Sequence, residues 1–376
     1  MPRFASMIYK GMLSRGHQVE VWTPTPVFFN YSKSNSLKKW LGYIDQYIVF
    51  PKQIKDKISQ AQADILFVFC DQALGPWVPL VKRLKHVIHC HDFLAQKSAL
   101  GLIPEHTTSL TGKLYQKFIH RGYSKGKNFI SVSNKTKSDL SSFLESEPQI
   151  SEVVYNGFNR DFSLKDNEKT RNELSAIFSI DLDKGYILHV GGNQWYKNRL
   201  GIIDIYDGWR AISKLKLPLI LVGEQPNIDL NEKRDQSNYK KDIFFLSGVE
   251  DNHVALFYAG ASVFLFPSLA EGFGWPIAEA MASGTLVITT NEAPMNEVAS
   301  DAGFYISLKP NNSQDIEKWK TKTAFTLEEV LHLNEKQREE AVKKGIANAK
   351  RFDQDKALDA FESIYKRVLE IRNDGD

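Results

Sequence analysis

Residues 265–284 read Leu-Phe-Pro-Ser-Leu-Ala-Glu-Gly-Phe-Gly-Trp-Pro-Ile-Ala-Glu-Ala-Met-Ala-Ser-Gly, and they concentrate residue types that handle a phosphorylated sugar. A strand-like run ends at Phe266 and a loop follows. Gly272 and Gly274 leave the backbone of that loop unobstructed, and Pro276 opens a helix. Backbone N–H groups at a helix N-terminus point outward where the dipole is positive, which suits a diphosphate. Glu271 precedes the helix and Glu279 lies one turn inside it. A carboxylate can accept two hydrogen bonds from a vicinal diol, so one Glu suits a ribose and the other a sugar ring. Taken alone, a glycine-rich turn before a helix also serves packing, and two glutamates eight apart carry little weight.

The elements that must position these groups alternate between helical and strand-like patterns, which predicts α/β with parallel sheets. In the first half the patterning predicts a helix over 3–15, strands over 17–23, 63–70 and 87–90, a helix over 111–124, a strand over 128–132, a helix over 135–144 and a short strand over 153–155. A polar stretch, about 159–184, separates the halves. The pattern restarts with strands over 186–190 and 218–222 around a helix over 199–214. Strand 243–246, helix 251–260, strand 263–266, helix 276–283 and strand 285–289 follow, and a charged helical tail runs over 334–371. Two doubly wound, Rossmann-like domains with a cleft between them fit this order. In such sheets ligands bind at the carboxyl ends of the strands, where the strand order reverses.

The chain has 376 residues, enough for two or three domains with large cores. Its two cysteines, Cys70 and Cys90, sit in apolar runs and read as reduced core thiols. No apolar run approaches the roughly 18 residues of a membrane span, so a cytoplasmic protein is expected. Charge is uneven: 21 Lys and Arg face 11 Asp and Glu over residues 1–160, while 27 face 34 over the remainder. One basic cluster holds Lys33, Lys38, Lys39, Trp40, Lys52, Lys55 and Lys57. A second holds Lys113, Lys117, His120, Arg121, Lys125 and Lys127, with Leu114, Phe118 and Tyr123 interleaved. These read either as a surface for anionic lipid headgroups or a pyrophosphate-linked acceptor, or as solvated helix faces. No recognition motif accompanies the charge, so nucleic acid is not expected.

The string Glu271-Gly-Phe-Gly-x-Pro-x-x-Glu279-Ala-Met-Ala-x-Gly284 closely resembles the Glu-x7-Glu signature of retaining glycosyltransferases of family 4, which have the GT-B fold. Other segments agree in order: Arg15-Gly16-His17, His91-Asp92, Val153-Val-Tyr155-Asn156-Gly157, Gly191-Gly192-x4-Lys197-Asn198 and Pro294-x-x-Glu297. The resemblance covers roughly residues 2–370. It implies an N-terminal acceptor-side domain over 1–160, a C-terminal nucleotide-sugar domain over 161–350, and a helix over 351–376 crossing back to the first. It implies that Glu279 binds the nucleotide ribose, that Glu271 with Gly272, Phe273 and Gly274 faces the donor sugar, and that Ile277 lies in the same donor-binding turn. Lys197 is expected on the donor diphosphate. Gly192 or Asn193 occupies a place that is often basic in the family, and Arg199 is the nearest other cation for a second phosphate contact. His91 is expected near the donor sugar and acceptor.

The implied reaction is retaining transfer of a sugar from a UDP- or GDP-sugar to a saccharide or polyprenyl-linked acceptor at the inner membrane face, in bacterial surface polysaccharide synthesis. No metal or cofactor is expected. Asp181-Leu-Asp183 matches an Asp-x-Asp metal pattern but sits in the polar linker and reads as a solvated turn. Two alternatives remain: a nucleotide-sugar-binding protein with little turnover, and another GT-B enzyme such as an epimerase. The family also opens with a strand and a glycine loop, whereas this chain opens at the helix Met1-Pro2-Arg3-Phe4. An unpaired interior sheet edge and low activity are therefore expected, unless residues upstream of Met1 or a segment of a second copy fill the gap.

Overall fold

A computed structural model describes residues 2–60, 64–158 and 160–371, and divides them into two compact units. Unit 1 takes Met1–Asn159 and Gln354–Asp376; unit 2 takes Arg160–Asp353. The expected strand over 63–70 begins on a residue outside the described ones, as does the expected chain start at Met1.

Unit 1 carries helices α1 (Pro2–Ser14), α2 (Asn35–Ile44) and α3 (Phe50–Ser59), then strands β1 (Phe67–Phe69) and β2 (His86–Cys90). Helices α4 (Leu94–Ala99) and α5 (Leu110–Tyr123), strand β3 (Asn128–Ser131), helix α6 (Asn134–Phe143) and strand β4 (Ile150–Val153) follow. The strands form a parallel sheet in the order β1-β2-β3-β4. Phe4, Met7, Ile8 and Met12 recur at helical spacing on α1 and bury one stripe of it. That stripe packs with Leu358, Phe361, Ile364 and Tyr365 of the last helix, which therefore belongs to unit 1. A Cβ on Gly11 would overlap the Leu358 side chain, so glycine lets these two helices approach.

Residues 17–23 do not form the expected strand. A strand needs a laddering partner, and among the described residues the outer edge of β1 carries none. The segment is irregular, with Trp22 edge-on against Phe67 at 5.7 Å. Residues 153–155 were expected as a strand; the strand instead begins at Ile150 and ends at Val153.

Unit 2 begins with helix α7 (Asn167–Phe178), inside what reads in sequence as a polar linker. Asp166 caps it by accepting from the Lys169 N–H at 2.8 Å, and only Thr170 and Leu174 are buried, so its apolar pattern is thin. Strand β5 (Ile187–Gly191), helix α8 (Arg199–Ile212), strand β6 (Leu219–Gly223), helix α9 (Ile228–Gln236), strand β7 (Ile243–Ser247), helix α10 (Asp251–Gly260) and strand β8 (Val263–Phe266) follow. Then come helix α11 (Trp275–Ala282), strand β9 (Val287–Thr290), helix α12 (Met295–Ala299), strand β10 (Phe304–Ile306), and helices α13 (Ser313–Leu331) and α14 (Glu335–Ala349); α15 (Gln354–Glu370) is the helix returning to unit 1. The parallel sheet runs β10-β9-β8-β5-β6-β7. Its core is built on α8, whose Ile202, Ile203, Tyr206 and Trp209 lie against Leu219, Leu221, Val263 and Leu265. Asp181 accepts from the Asp183 N–H at 3.2 Å, forming an exposed turn.

Candidate active site

In unit 2 the chain winds outward from β5 through β6 to β7, and from β8 through β9 to β10 in the other direction. Strands β5 and β8 are neighbours, so the crevice between their carboxyl ends is the switch point of the sheet. The loops leaving these two strands hold most of the candidate residues. They are tied together by backbone: the Leu269 N–H donates to the Tyr196 carbonyl at 2.7 Å. Asn198, in the left-handed region at φ 53°, starts α8 and donates from its side chain to the Pro267 carbonyl at 3.0 Å.

Across this join Lys197 Nζ donates to Glu271 Oε1 at 2.7 Å, and Ser268 Oγ donates to the same oxygen at 2.8 Å. The pair is well shielded, with side-chain exposures of 14% for Lys197 and 8% for Glu271. Lys197 also lies 5.1 Å from the Phe266 ring centre and 5.4 Å from that of Tyr196. A carboxylate and an ammonium that meet in a water-poor crevice interact strongly, and each would be costly to leave unpartnered.

Glycines shape the floor. Gly191 and Gly223 are paired in the β5–β6 ladder, and a Cβ on Gly223 would overlap the Gly191 carbonyl oxygen. Gly274 precedes α11 with φ 108°, a conformation costly for any other residue. Beyond it Phe273 is buried edge-on against Trp275 and Phe352, and Ile277 is wholly buried. The Ile277 side chain is thus a core residue, and its N–H is engaged by the Gly274 carbonyl at 3.0 Å. Glu279, half-buried on α11, accepts from the Tyr258 hydroxyl at 2.9 Å. Tyr258 is buried beside this carboxylate, and both facts hold its hydroxyl protonated.

Arg199 is buried at the start of α8, over the Phe245 ring at 5.3 Å. Its Nη1 donates to the Asn193 side-chain oxygen and to the Glu224 carbonyl at 3.1 Å, while Nε and Nη2 have no protein partner. Burial pulls its pKa down to about 10. The Glu224 carboxylate accepts from the Asn193 N–H at 3.0 Å and from Gln194 at 3.3 Å. Gly192, Gln194, Gly223, Glu224, Gln225, Ser247 and Gly248 line an open pocket of about 620 Å³ at the ends of β5, β6 and β7.

His91 belongs to unit 1, just past β2. Its Nε2 lies 2.9 Å from the Cys70 carbonyl, its N–H donates to the Gln72 side chain at 2.9 Å, and Gln72 in turn donates to the Asp92 carbonyl. The Phe4 ring meets it edge-on at 4.6 Å. Burial lowers its pKa, so the ring is neutral, with Nε2 as the donor and Nδ1 as the acceptor. Cys90 is buried and Cys70 half-buried, and both are free thiols; burial pushes the Cys70 thiol up to about 11.

The structure therefore gathers Lys197, Glu271, Gly192, Asn193 and Arg199 at one switch point, with Glu279 farther along α11, and keeps His91 in the other unit. Sequence reasoning missed Ser268, Tyr258, Glu224 and His189. Ser268 stands three residues before Glu271 and could have been picked out. His189, a lone histidine in an apolar strand, is wholly buried with its Nδ1 3.1 Å from the Leu265 carbonyl, a core position beneath the loops. Tyr258 had no local signal, because its contact is 21 residues away.

Comparison with known proteins fits this architecture. The chain is 31% identical over 185 residues to O-antigen chain mannosyltransferase B of Escherichia coli, covering 49% of this chain and 46% of that protein. It is 25% identical over 215 residues to O-antigen chain mannosyltransferase RfbU of Salmonella typhimurium, covering 57% of this chain and 55% of that protein. The matches thus span about half the length of these curated relatives. Among solved structures, WaaG, a glycosyltransferase involved in lipopolysaccharide biosynthesis, superposes with a TM-score of 0.69 at 18% identity, covering 100% of this chain and 96% of that one. HepE of Anabaena, in complex with UDP and glucose, gives 0.67 at 17% identity, covering 95% and 88%. Residues 1–162 match Glycosyltransferase Family 4 and residues 170–346 match glycosyl transferases group 1, so the chain belongs to the family 4 glycosyltransferases, with the GT-B fold.

Proposed function

We propose that this chain transfers a sugar, with retention of anomeric configuration, from a UDP- or GDP-sugar to a saccharide or lipid-linked acceptor in surface polysaccharide synthesis. The observation that carries the reading is the shielded Lys197–Glu271 pair at the switch point of unit 2. An arriving diphosphate offers Lys197 a more highly charged partner than Glu271. Once the lysine turns to the phosphate, Glu271 is released to accept from sugar hydroxyls, and Glu279, held by Tyr258, takes the ribose diol. Arg199 and the Gly192–Asn193 backbone supply further donors on the phosphate side, together with the N-terminus of α11 just after Gly274.

In the reaction, the bond from the anomeric carbon to the diphosphate oxygen breaks and its electron pair goes to that oxygen. The acceptor oxygen bonds to the anomeric carbon on the same face, and its proton passes to the departing phosphate. Stabilising that anion is the step that most needs positive charge, and Lys197 supplies it. The reading calls on no metal. His91, neutral and with Nδ1 as an acceptor, would orient a hydroxyl of the donor sugar or acceptor. The mannosyltransferase relatives and the UDP-bound neighbour support a nucleotide-sugar donor. Among the described residues no helix is long and apolar enough to cross a membrane. The enzyme, on this reading, works in the cytoplasm at the inner membrane face, where a lipid-linked acceptor would be presented.

The test is calorimetric titration of UDP, GDP and ADP, with EDTA present, into this chain and into Glu279→Ala. Binding of one nucleotide, weakened at least tenfold in the variant, is the expected result. Binding of none, or equal binding to the variant, overturns the donor site. Conversion of the donor's sugar into its epimer with no acceptor present would replace transfer by an epimerase reaction.

A further inference from the structure

Helix α5 presents a face to solvent that carries two interleaved stripes. Leu110, Leu114 and Phe118 recur every four residues, and Lys113, Lys117 and Arg121 recur beside them at the same interval. Leu110 is 80% exposed and Leu114 69% exposed, so neither is a core residue. No acidic residue occurs between Leu110 and Lys127. Of the sequence cluster around this helix, Tyr123 is instead fully buried and His120 is engaged by the Phe143 carbonyl at 2.9 Å, which leaves the two stripes as the exposed set.

The other basic cluster is joined to this face by aromatic contacts. Tyr43 of α2 stacks on Tyr115 of α5 with ring centres 5.5 Å apart, and the Tyr47 and Tyr115 hydroxyls are 2.8 Å apart. Tyr47 meets Phe118 edge-on at 5.2 Å, and Trp40 meets Tyr43 at 5.8 Å. Trp40 and Phe118 are thus exposed ends of one run of rings that fixes α2 against α5. Leu37, Trp40 and Ile48 are exposed along the same stretch, with Lys38 and Lys39 among them. Asp45, the acid within that stretch, is buried and accepts from the Val27, Phe28 and Phe29 N–H groups, so it adds no negative charge to the surface. Lys38, Lys39, Lys113, Lys117 and Arg121 have no ion-pair partner among the described residues.

Singly exposed leucines are ordinary, but a fixed face that alternates aliphatic and aromatic groups with unpaired cations is built for an interface. We propose that the α2–α5 face of unit 1 docks on an anionic lipid bilayer, with Leu37, Trp40, Leu110, Leu114 and Phe118 entering the headgroup boundary and the lysines and Arg121 meeting lipid phosphates. Charge selects this occupant. A second copy pairing through the same face would set its cations against their own counterparts, whereas a bilayer rich in phosphatidylglycerol neutralises them. The long lysine stems lie along apolar surface while their ammonium groups reach phosphate level. The choice of a bilayer rests on the lipid-linked acceptor of the proposed function, but the surface itself does not depend on the donor site.

Co-flotation with phosphatidylcholine vesicles, with and without phosphatidylglycerol, tests the proposal. The whole chain should float with anionic vesicles at least tenfold more than with neutral ones, and high salt should release it. Each basic side chain near an anionic surface contributes about a fivefold gain in partition, so Lys113→Glu with Lys117→Glu should lower binding by well over tenfold. Trp40→Ser with Leu114→Ser, which leaves the charges in place, should also lower it, and Lys322→Glu on α13 should not. Equal flotation with both vesicle types overturns the proposal. So does unchanged binding by either folded double variant, or a concentration-dependent dimer that the same substitutions abolish. The two double variants are independent, so misfolding of one leaves the other to decide. Titrating nucleotide into the same samples separates the readings: a chain that binds nucleotide but no vesicle loses only the docking surface, and the converse loses only the donor site.

Discussion

At the carboxyl end of the unit 2 sheet, charged side chains from two loops find one another. Lys197 and Glu271 are 74 residues apart and meet at 2.7 Å, with Ser268 on the same carboxylate oxygen. At the corresponding end of β2 in unit 1, His91 instead finds backbone and an aromatic ring: the Cys70 carbonyl and Phe4. The difference follows from topology. Unit 2 has strands on both sides of its switch point, so two loops converge over a crevice. Among the described residues β1 is the outer strand of the unit 1 sheet, and His91 packs under α1. One region is thus a charged cluster and the other a neutral, pre-set ring; in the proposed function the first meets the leaving diphosphate and the second orients a hydroxyl.

The sharpest break in that comparison is Lys197→Ala against His91→Ala. Removing the lysine deletes the charge that stabilises the departing phosphate and strands Glu271 in the crevice. Its kcat/KM should fall by about a thousandfold, on the order of 4 kcal/mol. His91→Ala should cost only about tenfold, because Nε2 is already committed to Cys70. Steady-state kinetics on both variants checks this, and equal losses would erase the distinction between the regions.

Glu271→Gln sharpens it further, because its two readouts move in opposite directions. The neutral amide no longer holds Lys197, so free UDP or GDP should bind about tenfold more tightly, equivalent to about 1.4 kcal/mol. Transfer should fall nonetheless, because the carboxylate that accepts from the sugar is gone. Weaker nucleotide binding by calorimetry would mean that the pair is structural and does not exchange partners.

How far this contrast could be read from sequence differs between the regions as well. Helix α10 and strand β8 lie where the periodicity puts them, since a long apolar run next to an amphipathic stretch has one solution. The glycine-flanked loop with Glu271 and the run to Lys197 could be picked out because their residue types are needed at those spacings. The α2–α3 stretch was not read as helix, for its apolar positions are mostly half-exposed or exposed, with only Phe50 and Ile54 buried. A helix in the polar linker was missed because α7 buries so little. Residues 17–23 alternate as a strand should, yet alternation cannot supply the neighbour that a strand pairs with. Tyr258 shows the remaining limit: a contact made through the fold leaves no mark in local spacing.

The sheets also bury neutral histidines in their strands, His86 and His89 in β2 and His189 in β5, and acid should reveal them. Burial pulls His89 and His189 down to about 3. In the unfolded chain each takes up a proton near pH 6.5, while in the folded chain it does not until about 3. The unfolded state therefore binds more protons between those values, and stability is lost as pH falls through that window, by up to about 1.4 kcal/mol per pH unit for each histidine. Thermal melting at pH 7.0 and 5.5 should show this loss. His189→Phe, which keeps the stacking with Phe264 and Phe266, should remove the His189 share of that loss, and an unchanged slope would mean that the ring is protonated in the fold.

The smallest effect expected is at Tyr258, and it tests whether Glu279 is held or merely present. The hydroxyl is fully buried and donates to Glu279 Oε2 at 2.9 Å, which fixes that oxygen of the carboxylate. Tyr258→Phe keeps the ring packed against Phe162 and Phe264, so the core should change little. The loss is one hydrogen bond that orients the carboxylate, a net contribution of about 1 kcal/mol. Donor KM should therefore rise about three- to tenfold with kcat nearly unchanged, because the ribose contact is the same in the ground and transition states. A fall in kcat at constant KM would move Tyr258 and Glu279 towards the chemistry and away from nucleotide binding. A large drop in melting temperature with normal kinetics would make the hydroxyl a core contact only. In unit 1 the parallel substitution is Tyr365→Phe, whose hydroxyl lies 2.6 Å from His89 Nε2, and it should alter stability without touching donor KM. If it moved KM as Tyr258→Phe does, the contrast between a unit that binds donor through oriented charge and one that does not would fail.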